Sequence, residues 1–388
     1  MKTLKNFATP HSHVRSFDSA STPEAFAQRE LELGGEYLTV TDHGTLEANR
    51  HVYDLCQNDK RFKGKLTPIM GLEGYFRDDD CPILKEAGIN KDEKGTFAEH
   101  LKYMHLTMHF MDQEALETAT RLISKADLRA ERHGSERKPL FGWSDLEELG
   151  SKNITFCSSC LIGMVSRHLL AHDDPWTAMR YYERVRSLVK PGNFYVELFA
   201  HVCDKNWDAG TFRKYADGSE EKLPDWKNLA ILDSNGKEYK AKALEVAEDF
   251  AKNPDSAREK YVKLVAVMQN RKMTPLETPK VLMGAERREG YLYNECKPWA
   301  PDRDVMLGVN KFIASLAAKY GDKILISDDS HFAKAEEKVA QDIRLGQNGN
   351  WRFATSYHRF SNDEAFKYFS EKMGVTEAQF EGWVENSQ

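Results

Sequence analysis

Histidines and carboxylates recur at short spacing along this chain. His11-Ser12-His13 is followed by Asp18, then by His43, by Glu73, by His105, by Cys160 and finally by Asp329-Ser330-His331. Imidazole, carboxylate and thiolate are the side chains that bind Zn²⁺, Mn²⁺ or Fe²⁺. In an extended segment residues i and i+2 point to the same side. His11 with His13, and Asp329 with His331, can therefore each present a pair of ligands to one centre. Nine such groups exceed the roughly four ligands of one tetrahedral site and suit a cluster of about two or three divalent ions sharing a carboxylate. Clustered divalent ions lower the pKa of water toward neutrality, orient it for in-line attack on phosphorus and neutralise the leaving oxygen. A phosphate ester is the natural substrate for such a site. Arg15 lies just past the His-Ser-His pair, where it can clamp a phosphate oxygen or simply face solvent. The Cys160 thiolate biases its site toward Zn²⁺, while the carboxylates also tolerate Mn²⁺.

Each piece alone also has an ordinary reading. Asp42-His43-Gly44 suits a turn, with Asp capping a helix and Gly at positive φ. Glu73, flanked by glycines, suits a solvated loop. Cys157-x-x-Cys160 suits a redox pair or half a zinc knuckle, but no second Cys-x-x-Cys follows. His51, His133, His168, His172 and His358 receive no role, and His100 and His109 read as packing or surface residues. The case for chemistry rests on joint occurrence at the ends of successive elements.

Those elements read as alternating helix and strand. Thr22-Pro23-Glu24 is a helix start, a Thr N-cap followed by Pro at the first helical position, and Gly34-Gly35 is its stop. Tyr37–Thr41 is a short β-prone run, Leu46–Asn58 a helix, and Leu66–Leu72 an apolar run ending at Glu73. Strands are expected at Tyr103–Phe110, Ile154–Phe156, Phe194–Leu198 and Ile324–Ser327, with helices at Gln113–Lys125 and Val305–Lys319. This is the rhythm of βα units around a parallel sheet or barrel, where functional groups gather at the C-terminal strand ends. Between Val202 and Pro301 the rhythm breaks. That stretch reads as an insertion, with a hairpin around Asn235-Gly236 and a helix at Lys240–Lys252. The tail, Asn350–Gln388, holds a mixed β segment at Trp351–Tyr357 and two helical pieces.

Composition narrows the class. Of 388 residues, 40% are hydrophobic and 30% charged, enough to build a sizeable core without disulfides. The longest uncharged stretch, around Ile154–Ser166, is too short and too polar to span a bilayer, and the N-terminus shows no secretion signal. Six scattered cysteines fit reduced thiols in a cytoplasmic protein with no membrane partner. The net charge of −6, from 55 Lys+Arg against 61 Asp+Glu, argues against a globally basic nucleic-acid coat but not against a local basic channel.

His11-Ser12-His13, Thr41-Asp42-His43-Gly44, Gly71-Leu72-Glu73, His105-Leu106-Thr107, Ser159-Cys160-Leu161-Ile162-Gly163, Phe194-Tyr195-Val196-Glu197-Leu198 and Asp329-Ser330-His331-Phe332 occur in the order found in the PHP (polymerase and histidinol phosphatase) family. Together they most resemble the N-terminal PHP domain of bacterial DNA polymerase III α subunits. The resemblance implies an α/β fold, a distorted (β/α)₇ TIM-like barrel. It divides the chain into a first barrel part over 1–201, an insertion over 202–301, a last barrel part over 302–346 and a polymerase-like C-terminal extension over 347–388. It also implies a trinuclear centre. His11, His13, Glu73 and Asp329 hold one metal, Glu73 bridges to a second completed by His105 and Cys160, and Asp18, His43 and His331 hold the third. Cys160 stands where phosphatase relatives have His, and Asp18 where they have another His.

The function expected from this resemblance is metal-dependent phosphoester hydrolysis, as a 3′–5′ exonuclease acting on DNA 3′ ends, with other replisome proteins as partners. His11, His13, Glu73, Asp329 and His331 are then the catalytic set. One alternative is a phosphomonoesterase of the histidinol phosphatase kind. Another is a non-catalytic replisome module whose metals stabilise the barrel. Arg129–Arg132, Arg271-Lys272 and Arg287-Arg288 are local basic clusters able to meet a phosphate backbone. The extension at 347–388 leaves no room for the palm, fingers and thumb of a polymerase, so this chain is not expected to synthesise DNA alone. It is either a stand-alone product, as of a phage or plasmid, or the N-terminal part of a longer polymerase.

Overall fold

The computed structural model describes residues 5–78, 103–133, 136–172, 175–201, 305–346 and 355–388, with short strand segments at 211–214, 220–222, 231–232, 238–239 and 291–294. Helix α1 (Pro23–Leu33) starts as the sequence dictates. Thr22 accepts a hydrogen bond from the Ala25 amide, and Gly34 closes the helix at φ 73°, a left-handed conformation that costs glycine little. Strand β1 (Tyr37–Val40) leads to α2 (Glu47–Asn58), and β2 (Thr67–Phe76) follows. After β2 come β3 (Met104–Phe110), α3 (Gln113–Leu128), β4 (Leu140–Phe141) and α4 (Trp143–Gly150). The middle closes with β5 (Ile154–Cys157), α5 (Met164–His172), α6 (Pro175–Leu188) and β6 (Phe194–Phe199). After residue 304 come α7 (Val305–Tyr320), β7 (Lys323–Ser327), α8 (Lys338–Gly346), α9 (Asn362–Met373) and α10 (Glu377–Asn386).

The strands form one seven-stranded sheet in the order β1-β2-β3-β5-β6-β7, with β4 paired to β2. Its two edges meet through the N-terminal segment. The Thr41 amide donates to Ser12 O at 2.9 Å and the His13 amide to Ser330 O at 2.7 Å, so residues 11–13 lie between the ends of β1 and β7. The sheet is thereby curled into a barrel-like wall. An apolar interior drives the curling. Phe7, Leu72, Met108, Phe156, Val196, Ile326 and Leu316 are all almost completely buried in one cluster that also takes in Phe369, Phe380 and Val384 of the two last helices.

Two details depart from the sequence expectation. β3 runs antiparallel to both β2 and β5, whereas β1/β2, β5/β6 and β6/β7 are parallel. A short apolar run carries no signal of its direction, so the sequence pattern suggested only parallel neighbours. The second detail is that β2 continues past Leu72 to Phe76, pairing Glu73 with Thr107 and Tyr75 with His105. Glu73 is therefore inside a strand rather than in a loop. Gly71 and Gly74 permit the close packing. A Cβ at Gly71 would lie 2.4 Å from Met108 O, and one at Gly74 would lie 3.1 Å from the Phe141 ring.

Within the inserted region Ile231 and Leu232 pair antiparallel with Tyr239 and Glu238, which matches the arms of the expected hairpin. The helix expected at Lys240–Lys252 and most of the β segment expected at Trp351–Tyr357 lie outside the described residues. Among the described residues no helix is long and apolar enough to cross a membrane.

Candidate metal centre

One rim of the curled sheet carries the site. The strands running toward it deliver residues from the loops beyond their C-terminal ends: His43 after β1, Cys160 after β5, Asp329 and His331 after β7. Because β3 runs the opposite way, its first turn rather than its end reaches this rim, and that places His105 among the others. His11 and His13 arrive on the segment that bridges the sheet edges.

Glu73 is the hub. It is completely buried, and its carboxylate lies 3.2 Å from His11 Nε2, 2.6 Å from His43 Nδ1 and 2.9 Å from His105 Nδ1. Cys160 Sγ is 3.1 Å from the same carboxylate and 3.4 Å from His105 Nδ1. On the other side Asp329 Oδ1 lies 3.2 Å from His13 Nε2 and 3.4 Å from His11 Nε2. Asp18 Oδ2 joins His43 Nε2 at 3.2 Å and His331 Nε2 at 3.3 Å. All nine ligand candidates are thus brought into one continuous cluster. Arg15 is not part of it: its half-exposed guanidinium pairs with Glu47 at 3.1 Å.

The donor set fits divalent ions. A tetrahedral ion with bonds of about 2.0–2.1 Å holds its ligand atoms ~3.3 Å apart, the spacing found here. His11 Nε2 and His13 Nε2 face each other at 3.1 Å, as two lone pairs aimed at one ion would. Three overlapping groups have ligand atoms all within 4.8 Å of one another: His11, His13 and Glu73; His43, Glu73 and His105; and His13, His43 and His331. Asp18 Oδ1 and His105 Nε2 are buried with no hydrogen-bond partner, and His43 Nδ1, Glu73 Oε2 and Asp329 Oδ1 are buried in close contacts that lack hydrogen-bond geometry. Such orphaned atoms are costly unless a cation or water satisfies them.

Electrostatics agree. Burial opposes charge on His11, yet Asp329, Glu73 and Glu197 together hold its imidazole well above the ordinary value. Burial also opposes charge on His43, and Asp18 and Glu73 overcome it in the same way. Glu73 is desolvated but held well below the usual carboxylate range by His105, His11 and His43. The buried carboxylates demand positive charge, and without metal they draw it from imidazoles. His13 goes the other way: burial, with His43 and His331 beside it, pushes it down to about 3, leaving a neutral ring with a free lone pair. Burial and the neighbouring Glu73 and Asp329 raise the Cys160 thiol, so thiolate forms there only with a cation present.

The supporting contacts fix ring orientation. His331 Nδ1 donates to Asp329 O at 2.6 Å, which leaves Nε2 facing Asp18. His13 Nδ1 meets Ser16 Oγ at 3.2 Å. Glu197, fully buried, lies 3.2 Å from His11 Nδ1 and also accepts from the Ser159 amide at 3.1 Å and Ser327 Oγ at 3.0 Å. Asp42 accepts from the Val14 and Arg15 amides and from Ser16 Oγ, anchoring the loop after His13. Carboxylate partners behind metal-ligating histidines are typical of such centres. From the sequence Glu197 is legible only as part of the Phe194–Leu198 motif, and Asp42 only as a turn or helix-capping residue. The signal available was a lone acid at the end of an apolar strand.

Backbone strain concentrates at the same rim. Asp329 (φ 43°) and Ser159 (φ 64°) are the described non-glycine residues with positive φ, one a candidate ligand and the other next to Cys160. Strain of this kind costs about 1–3 kcal/mol and persists where the surroundings enforce it. Cys157 and Cys160 are both free and buried. Cys157 turns away, 3.9 Å from His109 Nδ1, while His109 Nε2 donates to Pro10 O at 2.6 Å.

Residues 10–201 match the PHP domain family. These residues belong to the PHP family. The match ends before β7, so Asp329 and His331 lie outside it and rest on the order of the motifs and on the geometry above. DNA polymerase III subunit alpha of Helicobacter pylori strain J99 is 29% identical over 262 residues, 64% of this chain and 19% of that protein. The subunit of H. pylori strain 26695 is 28% identical over the same span, and that of Treponema pallidum is 24% identical over 195 residues, half of this chain. The chain spans about one fifth of the length of the H. pylori relatives.

Proposed function

We propose that this chain is a metal-dependent phosphoesterase that removes nucleotides from DNA 3′ ends through a trinuclear centre, with other replication proteins as cytoplasmic partners. The observation that carries the reading is the gathering of nine ligand-competent side chains into one buried cluster, with the carboxylate of Glu73 at its centre and polar atoms in it left unsatisfied. In this reading the PHP domain lies in a (β/α)₇ barrel built from residues 1–201 and 302–346, with an insertion at 202–301 and an extension at 347–388.

His11, His13, Glu73 and Asp329 hold the first ion, Glu73, His105 and Cys160 the second, and Asp18, His43 and His331 the third. When bound, the ions, two to three of Zn²⁺, Mn²⁺ or Fe²⁺, supply the charge that activates water and neutralises the leaving oxygen. The chain's own residues prepare the site. Glu197 keeps a proton on His11 Nδ1, so that Nε2 presents its lone pair. The Asp329 carbonyl does the same for His331. Sequestration inside the barrel rim lowers the local dielectric and strengthens these interactions. DNA is favoured over a small ester because the relatives are replicative polymerase subunits.

The test incubates end-labelled single-stranded and mismatched duplex DNA with the protein and Mn²⁺, beside histidinol phosphate, with Asp329→Ala as control. Release of 3′ nucleotides by wild type and its loss in the variant are expected. Hydrolysis of histidinol phosphate alone would redirect the activity to small esters. Activity unchanged by Asp329→Ala would remove this site from the reaction.

A further inference from the structure

Arg359 lies in the tail, well beyond the last strand of the sheet, yet its side chain is completely buried. Two carboxylates share its guanidinium: Glu30 on α1, and Asp328 at 2.9 Å. The remaining donors reach the backbone oxygens of Phe7 and Phe360, and the guanidinium lies over the Phe7 ring at 4.3 Å. Asp328 in turn accepts from Thr9 Oγ1 at 2.7 Å and from the Phe360 amide at 3.0 Å. Its own carbonyl accepts from His201 Nε2. The flanking backbone is laced to the same place, with the His331 amide donating to Tyr357 O at 2.7 Å and the Arg359 amide to Phe332 O at 3.1 Å.

One guanidinium therefore ties three things together. Phe7 and Thr9 lead directly into His11 and His13. Asp328 precedes Asp329, whose φ of 43° requires an enforcing environment. Glu30 fixes both to the first helix. Replacing a buried ion triad by apolar groups is often neutral or even stabilising, so stability alone is a weak reason for this one. Geometry is a stronger reason, because a ligand loop in a strained turn needs rigid, directional anchors. The planar fork of Arg supplies them and an ammonium would not.

We propose that Arg359 is a positioning residue of the metal centre: through Asp328, Phe7 and Thr9 it holds Asp329 and the His11–His13 segment in converging geometry before an ion arrives. The proposal rests on the metal-binding reading above. It makes residues 357–360, outside the matched domain, a working part of the site.

Arg359→Met alone strands two buried carboxylates, so the main variant is the charge-free triple Glu30→Gln, Asp328→Asn, Arg359→Met, with Arg359→Lys beside it. The full chain is stripped with chelator and titrated with Mn²⁺ by calorimetry, and the metal-free proteins are melted. The expected result is a triple variant that melts near wild type without metal but binds Mn²⁺ ~10–100-fold more weakly, the usual effect of losing an outer partner of a metal ligand. Arg359→Lys should fall between. Wild-type Mn²⁺ affinity in a folded triple variant would overturn the proposal. If the triple variant does not fold, unchanged affinity in Arg359→Lys overturns it instead. A wild-type protein that takes up no Mn²⁺ would overturn the metal reading itself, and the proposal with it.

Discussion

Replacing Glu197 by Gln exchanges one oxygen for an NH₂ group and leaves the volume unchanged, so it perturbs His11 without opening a cavity. Wild-type Glu197 accepts the Ser159 amide hydrogen on one oxygen and faces His11 Nδ1 and Ser327 Oγ with the other. Gln cannot serve all of these. If its oxygen keeps Ser159, its NH₂ points at His11 Nδ1 and donates there. The imidazole proton then moves to Nε2, the atom 3.2 Å from Glu73 and 3.4 Å from Asp329, and occupies the lone pair meant for an ion. If the amide flips, two donors confront each other at Ser159 in a fully buried pocket. Either route weakens ion binding at His11 by ~10–100-fold, or about 1.4–2.7 kcal/mol. The assay is chelator-buffered titration of Mn²⁺ and Zn²⁺ into metal-free protein, with ¹⁵N NMR of the imidazoles in the Zn²⁺-loaded protein, where His11 must be a neutral ring, to read the tautomer. Affinity within twofold of wild type, with His11 still protonated on Nδ1, would refute the reasoning.

Metal binding should stabilise the fold by mass action. Adding Zn²⁺ at about 100 times its dissociation constant raises stability by ~2.7 kcal/mol, read as a higher Tm reversed by chelator. Cys160→Ser replaces a soft ligand by a hard one, so Zn²⁺ affinity should fall at least tenfold while Mn²⁺ affinity changes much less, as measured by competition titration. Glu364 caps α9, and its hydrogen bond to His358 is the leading reason its carboxyl is pulled from an ordinary 4.5 down to about 2. A depressed carboxylate contributes stability that is present above pH 4.5 and lost as pH falls toward 2. Glu364→Gln should therefore flatten the acid limb of the stability curve across that window, as read by urea unfolding. An unchanged limb would exclude this pair. Thr22→Ala removes the N-cap bond to Ala25 and should cost about 1 kcal/mol without altering metal content.

Local chemistry made parts of the fold legible in the sequence. The Thr22-Pro23 start and Gly34 stop of α1, and the ligand-rich loops after β1, β5 and β7, depend on residues close in the chain. Direction and reach did not show. The antiparallel course of β3 and the continuation of β2 past Glu73 are set by which strand lies alongside, and Met104–Phe110 would read the same in either sense. The nine ligand candidates stood out because imidazoles and carboxylates seldom cluster at element ends by chance. Glu197, Asp42 and Arg359 were harder to see. Each is one charged residue whose work is defined by contacts up to 352 positions away, and no local pattern encodes that.

The most direct test of the central claim is the metal content of the purified protein by elemental analysis, for wild type and Asp329→Ala. The account predicts about two to three equivalents of Zn, Mn or Fe per wild-type chain, with a clear deficit in the variant. Fewer than about one equivalent in wild type, or equal content in the two proteins, would contradict a multinuclear centre built on these residues.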